Sequence, residues 1–277
     1  MLLTSTETAL RIEEADILHL SRQVIACTSL FPSSPIISHT VGGGIAAATL
    51  PIFGRKLNKI VGFGLHRPVS RHDLLPVEAL YSSLGLQTEV VLCPYADPTA
   101  LTALAEGGYV VDGFVNAYAR ALTDEDLVEG DEYGEIEVCR VMEDNFDEFV
   151  KSSVAGFASG GRPRELLETL ARIATMRADT RLYFALIDGK IAGSAGLALM
   201  ETSKGRVAEL YIDSTMPEYR GRGVQVALSK ARLAEARKEG YDFATVQARQ
   251  SNGSARNAER AGFGLAYCKP TFSKKTT

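Results

Sequence analysis

The sequence predicts two similarly built α/β domains in tandem. Three observations carry this. The chain has 277 residues, enough for two domains of about 140 each. Both halves end in the order strand, helix, strand, helix, strand, with Gly107-Gly108-Tyr109 and Gly262-Phe263 at comparable places. Between them, residues 123–134 are crowded with Asp, Glu and Gly and read as a linker. The expected domains are therefore 1–128 and 135–277.

Taken in order, residues 11–30 space Ile12, Ile17, Leu20, Val24 and Ile25 as one face of a helix. Pro32-Ser33-Ser34-Pro35 stops it. Strands are expected over 44–50 and 59–65, and Gly42-Gly43-Gly44 reads as a flexible turn. A helix over 73–84, a strand over 88–92, a helix over 98–106 and a strand over 109–118 complete the first domain. The second domain opens with a strand over 135–141 and helices over 144–158 and 164–177. Strands 181–187 and 191–200 meet at Asp188-Gly189, a strong hairpin signal. A strand over 207–213 leads to a long helix over 221–239, closed by Gly240. A strand over 243–248, a short helix near 254–261 and a strand over 264–270 end the chain.

Composition narrows the function. With 45% hydrophobic and 23% charged residues, the chain is globular in character. A net charge of −4 gives a general nucleic-acid role little electrostatic support. Residues 1–130 carry 8 Lys and Arg against 14 Asp and Glu, whereas 131–277 carry 22 against 20. A mildly basic second half suits an anionic ligand, though ordinary solvated surface explains so small a difference equally well. Cys27, Cys93, Cys139 and Cys268 form no CxxC pair, so no zinc site or redox motif is expected. Residues 41–54 are too short to span a bilayer, and no basic-then-apolar leader precedes them. The expectation is a soluble cytoplasmic protein with no membrane partner. Oligomeric state is not legible.

The chemistry concentrates in residues 207–226. A strand runs into a turn, and Arg220-Gly221-Arg222-Gly223-Val224-Gln225 opens an amphipathic helix. Glycines let the backbone come close to a ligand. The first amides of a helix lack internal partners and sit at the positive end of the dipole, a geometry that holds phosphate. Arg220 and Arg222 can add charge-assisted bonds. No GxxxxGK[ST] and no strand-borne GxGxxG competes with this segment.

The segment resembles motif A of the GNAT superfamily, Arg/Gln-x-x-Gly-x-Gly/Ala: Arg220 and Gly223 match, and Gln225 departs. Residues 252–263, from Asn252 through Ala258 to Phe263, resemble motif B. The resemblance covers about 140 residues, and the whole chain is similar to bacterial two-domain GNAT proteins with a degenerate N-terminal copy. It implies two tandem GNAT-like domains, each with a mixed, mostly antiparallel central sheet flanked by helices. It also implies acetyl-CoA as co-substrate, with no metal. Val224 and Gln225 join Arg220, Gly221, Arg222 and Gly223 around the pyrophosphate. Pantetheine lies between splayed strands beside Tyr211, Ile212 and Asp213. Ser254 and Asn257 cap the motif B helix or position it beside the pantetheine arm.

Acetyl transfer to an amine needs a base. Strict alternation places Glu209 on one face with Val207, Tyr211 and Asp213, where a carboxylate among apolar neighbours acquires a raised pKa. Glu209 is therefore a candidate base, or else a partner of a nearby arginine or of the substrate amine. The tyrosine that often protonates the leaving thiolate in the family is replaced by Ala258. Tyr267 is a candidate substitute acid, or a packed strand tyrosine. In the first domain the matching turn, from His66 to Asp73, has no glycine, and Pro68 removes an amide, so that domain is expected not to bind CoA. Three readings follow: an N-acetyltransferase acting on a small-molecule amine, the same chemistry on a protein lysine or N-terminus, and a non-catalytic acyl-CoA sensor.

Overall fold

A computed structural model describes residues 4–127, 134–157, 160–250 and 252–274. Half of the expected linker, residues 128–133, therefore lies outside the described residues. No described helix is long and apolar enough to cross a membrane.

The described chain divides into two compact bodies. The first body holds residues 4–117, 202–205 and 265–274. It begins with α1 (Thr6–Leu30), whose N-terminus is capped by the Ser5 hydroxyl accepting from the Thr8 amide. Strands β1 (Ile37–Val41) and β2 (Gly44–Ala48) follow as an antiparallel hairpin in which Val41 faces Gly44. The sequence reading missed β1, because four of its five residues are exposed and polar residues interrupt it. The turn expected at Gly42-Gly43-Gly44 is the connection of this hairpin, with Gly42 and Gly43 at positive φ. Next come α2 (Gly54–Leu57), β3 (Lys59–Val61), α3 (Arg71–Ser83), β4 (Glu89–Val91), α4 (Thr99–Glu106) and β5 (Tyr109–Ala121), within which the chain passes from one body to the other. The strand expected over 59–65 stops at Val61. Beyond it the Leu65 amide turns back to the Gly62 carbonyl, and Gly62 and Gly64 adopt positive φ.

The second body holds 118–127, 134–201 and 206–264 among the described residues. Its elements are β6 (Ile136–Arg140), α5 (Phe146–Phe157), α6 (Arg164–Met176), β7 (Thr180–Ile187), β8 (Lys190–Thr202), β9 (Gly205–Thr215), α7 (Val224–Lys238), β10 (Phe243–Ala248) and α8 (Gly253–Arg260). The last strand, β11 (Gly264–Lys274), returns to the first body and pairs antiparallel with β4. Strand order is β1-β2-β3-β4-β11 in the first body and β10-β9-β8-β7-β6 in the second. Each combines one parallel pair (β3 with β4, β9 with β10) with antiparallel pairs (β2 with β3, β6 with β7 and β7 with β8 among them). One core of the second body gathers Ala208 and Leu210 of β9 with Val224, Ala227 and Leu228 of α7. A separate cluster joins Phe149 of α5, Ala171 of α6 and Phe184 of β7, with Tyr211 and Ile212 against it.

In the first body, β11 is anchored by charge. Lys269, with no exposed surface, bonds Glu13 Oε1 at 3.0 Å and Asp16 Oδ2 at 2.7 Å, and the Tyr267 hydroxyl donates to Glu13 at 2.8 Å. Burial raises the Glu13 pKa. Burial also acts to raise Asp16, but Lys269 outweighs it and holds that carboxyl well below its usual range. Removing one partner of such a network leaves uncompensated buried charge. Lys269→Met is expected to cost about 3–5 kcal/mol of stability, read by urea unfolding followed by circular dichroism.

Candidate functional site

The site begins where β9 and β10 part. They run in parallel register from Ala208 opposite Ala244 to Leu210 opposite Val246. Two residues on, Ile212 adopts φ 54°. Positive φ at a β-branched residue is rare and costs about 1–3 kcal/mol. Its effect is a bulge that breaks alternation. Ala208 and Leu210 pack toward α7, while Tyr211 and Ile212 both pack with the α5–α6 cluster. A Cβ on Gly196 of β8 would lie 3.0 Å from each of them, so this glycine makes room for the bulge. Asp213 then returns to the α7 side, where its Oδ1 lies 2.6 Å from Arg232 Nη1. Glu209, Tyr211 and Asp213 therefore do not share one face. Strict alternation, which the sequence reading assumed, fails at Ile212.

Beside the bulge opens a cleft of about 650 Å³. Its walls are Leu210, Asp213, Ser214 and Thr215 of β9, Gly156 and Phe157 at the end of α5, the 219–226 turn and helix start, Val246, and one face of α8. α7 begins at Gly223, which has φ 86°, and no side chain caps its first turn. Gly221 has φ 81°. A Cβ on Gly221 would meet no atom within 4 Å, and one on Gly223 would meet only Ile136, at 3.8 Å. The glycines are thus required by backbone conformation, and the space over the open amides is clear.

The lining is cationic. Arg220, Arg256 and Arg260 face the cleft. The one acid among the lining residues is Asp213, already paired with the fully buried Arg232. Burial pushes the Asp213 carboxyl above its usual pKa, and Arg232 pulls it back. Arg220 Nη2 also donates to the Gly156 carbonyl at 3.2 Å, tying the turn to α5. Gln225, at the motif position where Gly or Ala is usual, turns away from the amides. Its Nε2 donates to the Ser214 carbonyl at 2.7 Å and to Thr215 Oγ1 at 2.8 Å.

Of the residues singled out in the sequence, Asp213, Arg220, Gly221, Gly223, Val224, Gln225, Ser254 and Asn257 all line this cleft. Three do not. The Tyr211 hydroxyl bonds Thr180 at 2.8 Å, and Ile212 packs beside Tyr211. Arg222 pairs outward with Glu135 and stacks 5.5 Å over the Tyr219 ring. Ser254 and Asn257 lie inside α8 rather than at its cap, which is Asn252, whose Oδ1 accepts from the Ala255 amide at 2.8 Å. Glu209 is buried, in register with Thr245, on the strand face opposite Leu210. Near it lies Arg177, bound at both nitrogens by Asp179. Burial opposes the Arg177 charge, but Asp179, Tyr211 and Glu209 together raise its pKa. Tyr267 belongs to the first body, bonded to Glu13, and burial and the Glu13 charge raise its pKa. The sequence reading missed Phe157, Ser214, Thr215, Arg256 and Arg260. The last two lie four apart on α8, a spacing that puts them on one face and was open to view.

Residues 140–263 match the model of the acetyltransferase (GNAT) family. The matched stretch, just under half of the chain, is similar to that family. The fold extends to the whole chain. A GCN5-related N-acetyltransferase from Kribbella flavida is 16% identical with a TM-score of 0.66, covering 97% of this chain and 96% of its own. A tandem GNAT protein from the clavulanic acid biosynthesis pathway is 12% identical with a TM-score of 0.58, covering 95% of this chain and 97% of its own. A functionally unknown conserved protein from Staphylococcus epidermidis ATCC 12228 reaches 11% and 0.59, covering 90% and 97%. No curated protein matches the chain. The tandem GNAT-like fold expected from the sequence is the fold observed.

Because a methyl at Gly221 meets open space, Gly221→Ala isolates the conformational demand. It should lower stability by about 1–2 kcal/mol, the cost of left-handed backbone for an L-residue, as read by thermal or urea unfolding.

Proposed function

We propose that the second body transfers an acetyl group from acetyl-CoA to the amine of a small-molecule acceptor. The observation that carries this reading is the uncapped N-terminus of α7, opening into an arginine-lined cleft beside the parting of β9 and β10. The α7 amides and Arg220 take the diphosphate, and Arg256 and Arg260 offer further charge for the remaining phosphate. The cleft volume is that of a small-ligand site. Pantetheine runs along β9 beyond Leu210, pairing with backbone near residues 211–213 as an added strand would.

In this reading the thioester reaches the gap beyond Leu210 and Val246, and the acceptor approaches from the α5–α6 side of β9. That is the side on which Glu209 lies, so Glu209 is the proposed base, acting directly or through water. The amine nitrogen bonds the acetyl carbon, the carbon–sulfur bond breaks, and the amine proton passes to the base. Tyr267, bonded within the first body, is not proposed as the acid. The thiolate is a good enough leaving group to depart without one.

The first body is proposed as a degenerate copy that does not bind CoA. Its helix α3 is capped from within: the Asp73 carboxylate accepts from the Ser70 amide at 2.8 Å and from Arg67 at 2.6 Å. These contacts hold its pKa low, so an anion already occupies that helix end. The four free cysteines fit a reducing, cytoplasmic setting.

A second reading, a non-catalytic acyl-CoA sensor, is favoured by one observation. Ala258 presents only a methyl to the cleft where the family often places a phenol. Release of free thiol from acetyl-CoA with any amine supports the enzyme; tight binding with no thiol release across an amine panel supports the sensor.

Gly223→Glu places bulk and negative charge over the amides and is expected to abolish acetyl-CoA binding. Unchanged affinity by calorimetry would remove the cofactor assignment. Glu209→Gln is expected to lower kcat by roughly 100-fold or more, the usual worth of a general base, with acetyl-CoA affinity nearly unchanged. Wild-type turnover across the pH range would exclude the base role.

A further inference from the structure

The bulge at Ile212 is strained, so something must hold it. Arg232, in the middle of α7, is the largest fully buried side chain among the described residues. Its Nη1 lies 2.6 Å from Asp213 Oδ1 and donates to the Gly196 carbonyl of β8 at 2.8 Å. Its Nε donates to the Leu228 carbonyl at 2.9 Å. One guanidinium thus ties α7, β8 and β9 together.

The pair and the bulge depend on each other. An unbulged β9 alternates strictly, and alternation sends Asp213 to the face of Glu209 and Tyr211, away from α7. Arg232 would then be a buried charge without its carboxylate, a state costlier than the backbone strain it relieves. An ion pair buried at its arginine end is otherwise a weak source of stability compared with packed apolar side chains. A reason for it here is geometry: it selects one path for β9. Gln225 reinforces that path by holding the Ser214 carbonyl and Thr215 hydroxyl to the start of α7.

We propose that Arg232 is a positioning residue which, by capturing Asp213, keeps β9 bulged and parted from β10, so that the slot for the acyl-pantetheine arm stands open before the cofactor arrives. This rests on the acetyl-CoA reading above. The Arg232–Asp213 pair acts on the slot and not on the phosphate cradle, whose glycines and helix end are held by their own backbone.

The test compares two ligands by calorimetry. Acetyl-CoA uses both slot and cradle, whereas 3′-phosphoadenosine 5′-diphosphate uses the cradle alone. Asp213→Asn and Arg232→Lys, which keeps the charge but not the planar fork, are expected to weaken acetyl-CoA binding by about tenfold or more while changing 3′-phosphoadenosine 5′-diphosphate binding by less than about twofold. If Asp213→Asn alone does not fold, Asp213→Asn with Arg232→Met removes both charges and should give the same split. Equal losses for the two ligands, or no loss for either, would overturn the positioning role. Wild-type protein that binds neither ligand would overturn the cofactor reading itself, and this inference with it.

Discussion

The rest of the site depends on the backbone amides of the first turn of α7, which no side chain caps. A helix end carries unpaired N–H groups and the positive pole of its dipole. Most proteins answer that need with a side chain. This chain does so at α3, where Asp73 and Ser70 close the capping box, and at α8, where Asn252 caps. At α7 it leaves the need open, with Gly223 in left-handed conformation and Gly221 beside clear space. In the proposed function, the contrast between α3 and α7 is that between a helix that has its anion and one that awaits it.

An open helix end is useful only if a ligand can also lie along the neighbouring strand. In the proposed function, that is the role of the irregularity in β9. Ile212 takes an unfavourable backbone angle, and three ties sustain it: the Arg232–Asp213 pair, the Gln225 amide on the strand end, and the Ser194–Ser214 hydroxyl contact at 2.9 Å. Strain at one residue is held by over-determined surroundings, the pattern expected where geometry serves binding. The β9–β10 ladder is regular up to Leu210 and ends where the cleft begins.

Much of this was legible in the sequence, and the limits have physical causes. Arg220, Gly221 and Gly223 before a helical face marked the glycine turn and the uncapped start of α7, because glycine pairs and helix starts are local features. The Asp188-Gly189 hairpin was equally local and is present, joining Ile187 to Lys190. The bulge at Ile212 was not legible: isoleucine is a strand former, and only tertiary contacts force it to positive φ. That single residue misplaced Asp213 and removed Tyr211 and Ile212 from the cleft lining. Arg232 gave no signal at all, since an arginine in a helix ordinarily reads as solvated. The pairing of β11 with β4 was hidden for the same reason, its anchor Lys269 being a charge that only the fold reveals as buried.

The most direct measurement is a titration of the isotope-labelled protein with coenzyme A, following backbone amide resonances by transverse-relaxation-optimised NMR. The account predicts that the largest shifts fall on the amides of Gly221 through Val226, while those of Arg71 to Leu74 at the closed end of α3 stay in place. Unmoved amides at the start of α7, or equal movement at both helix ends, would contradict it.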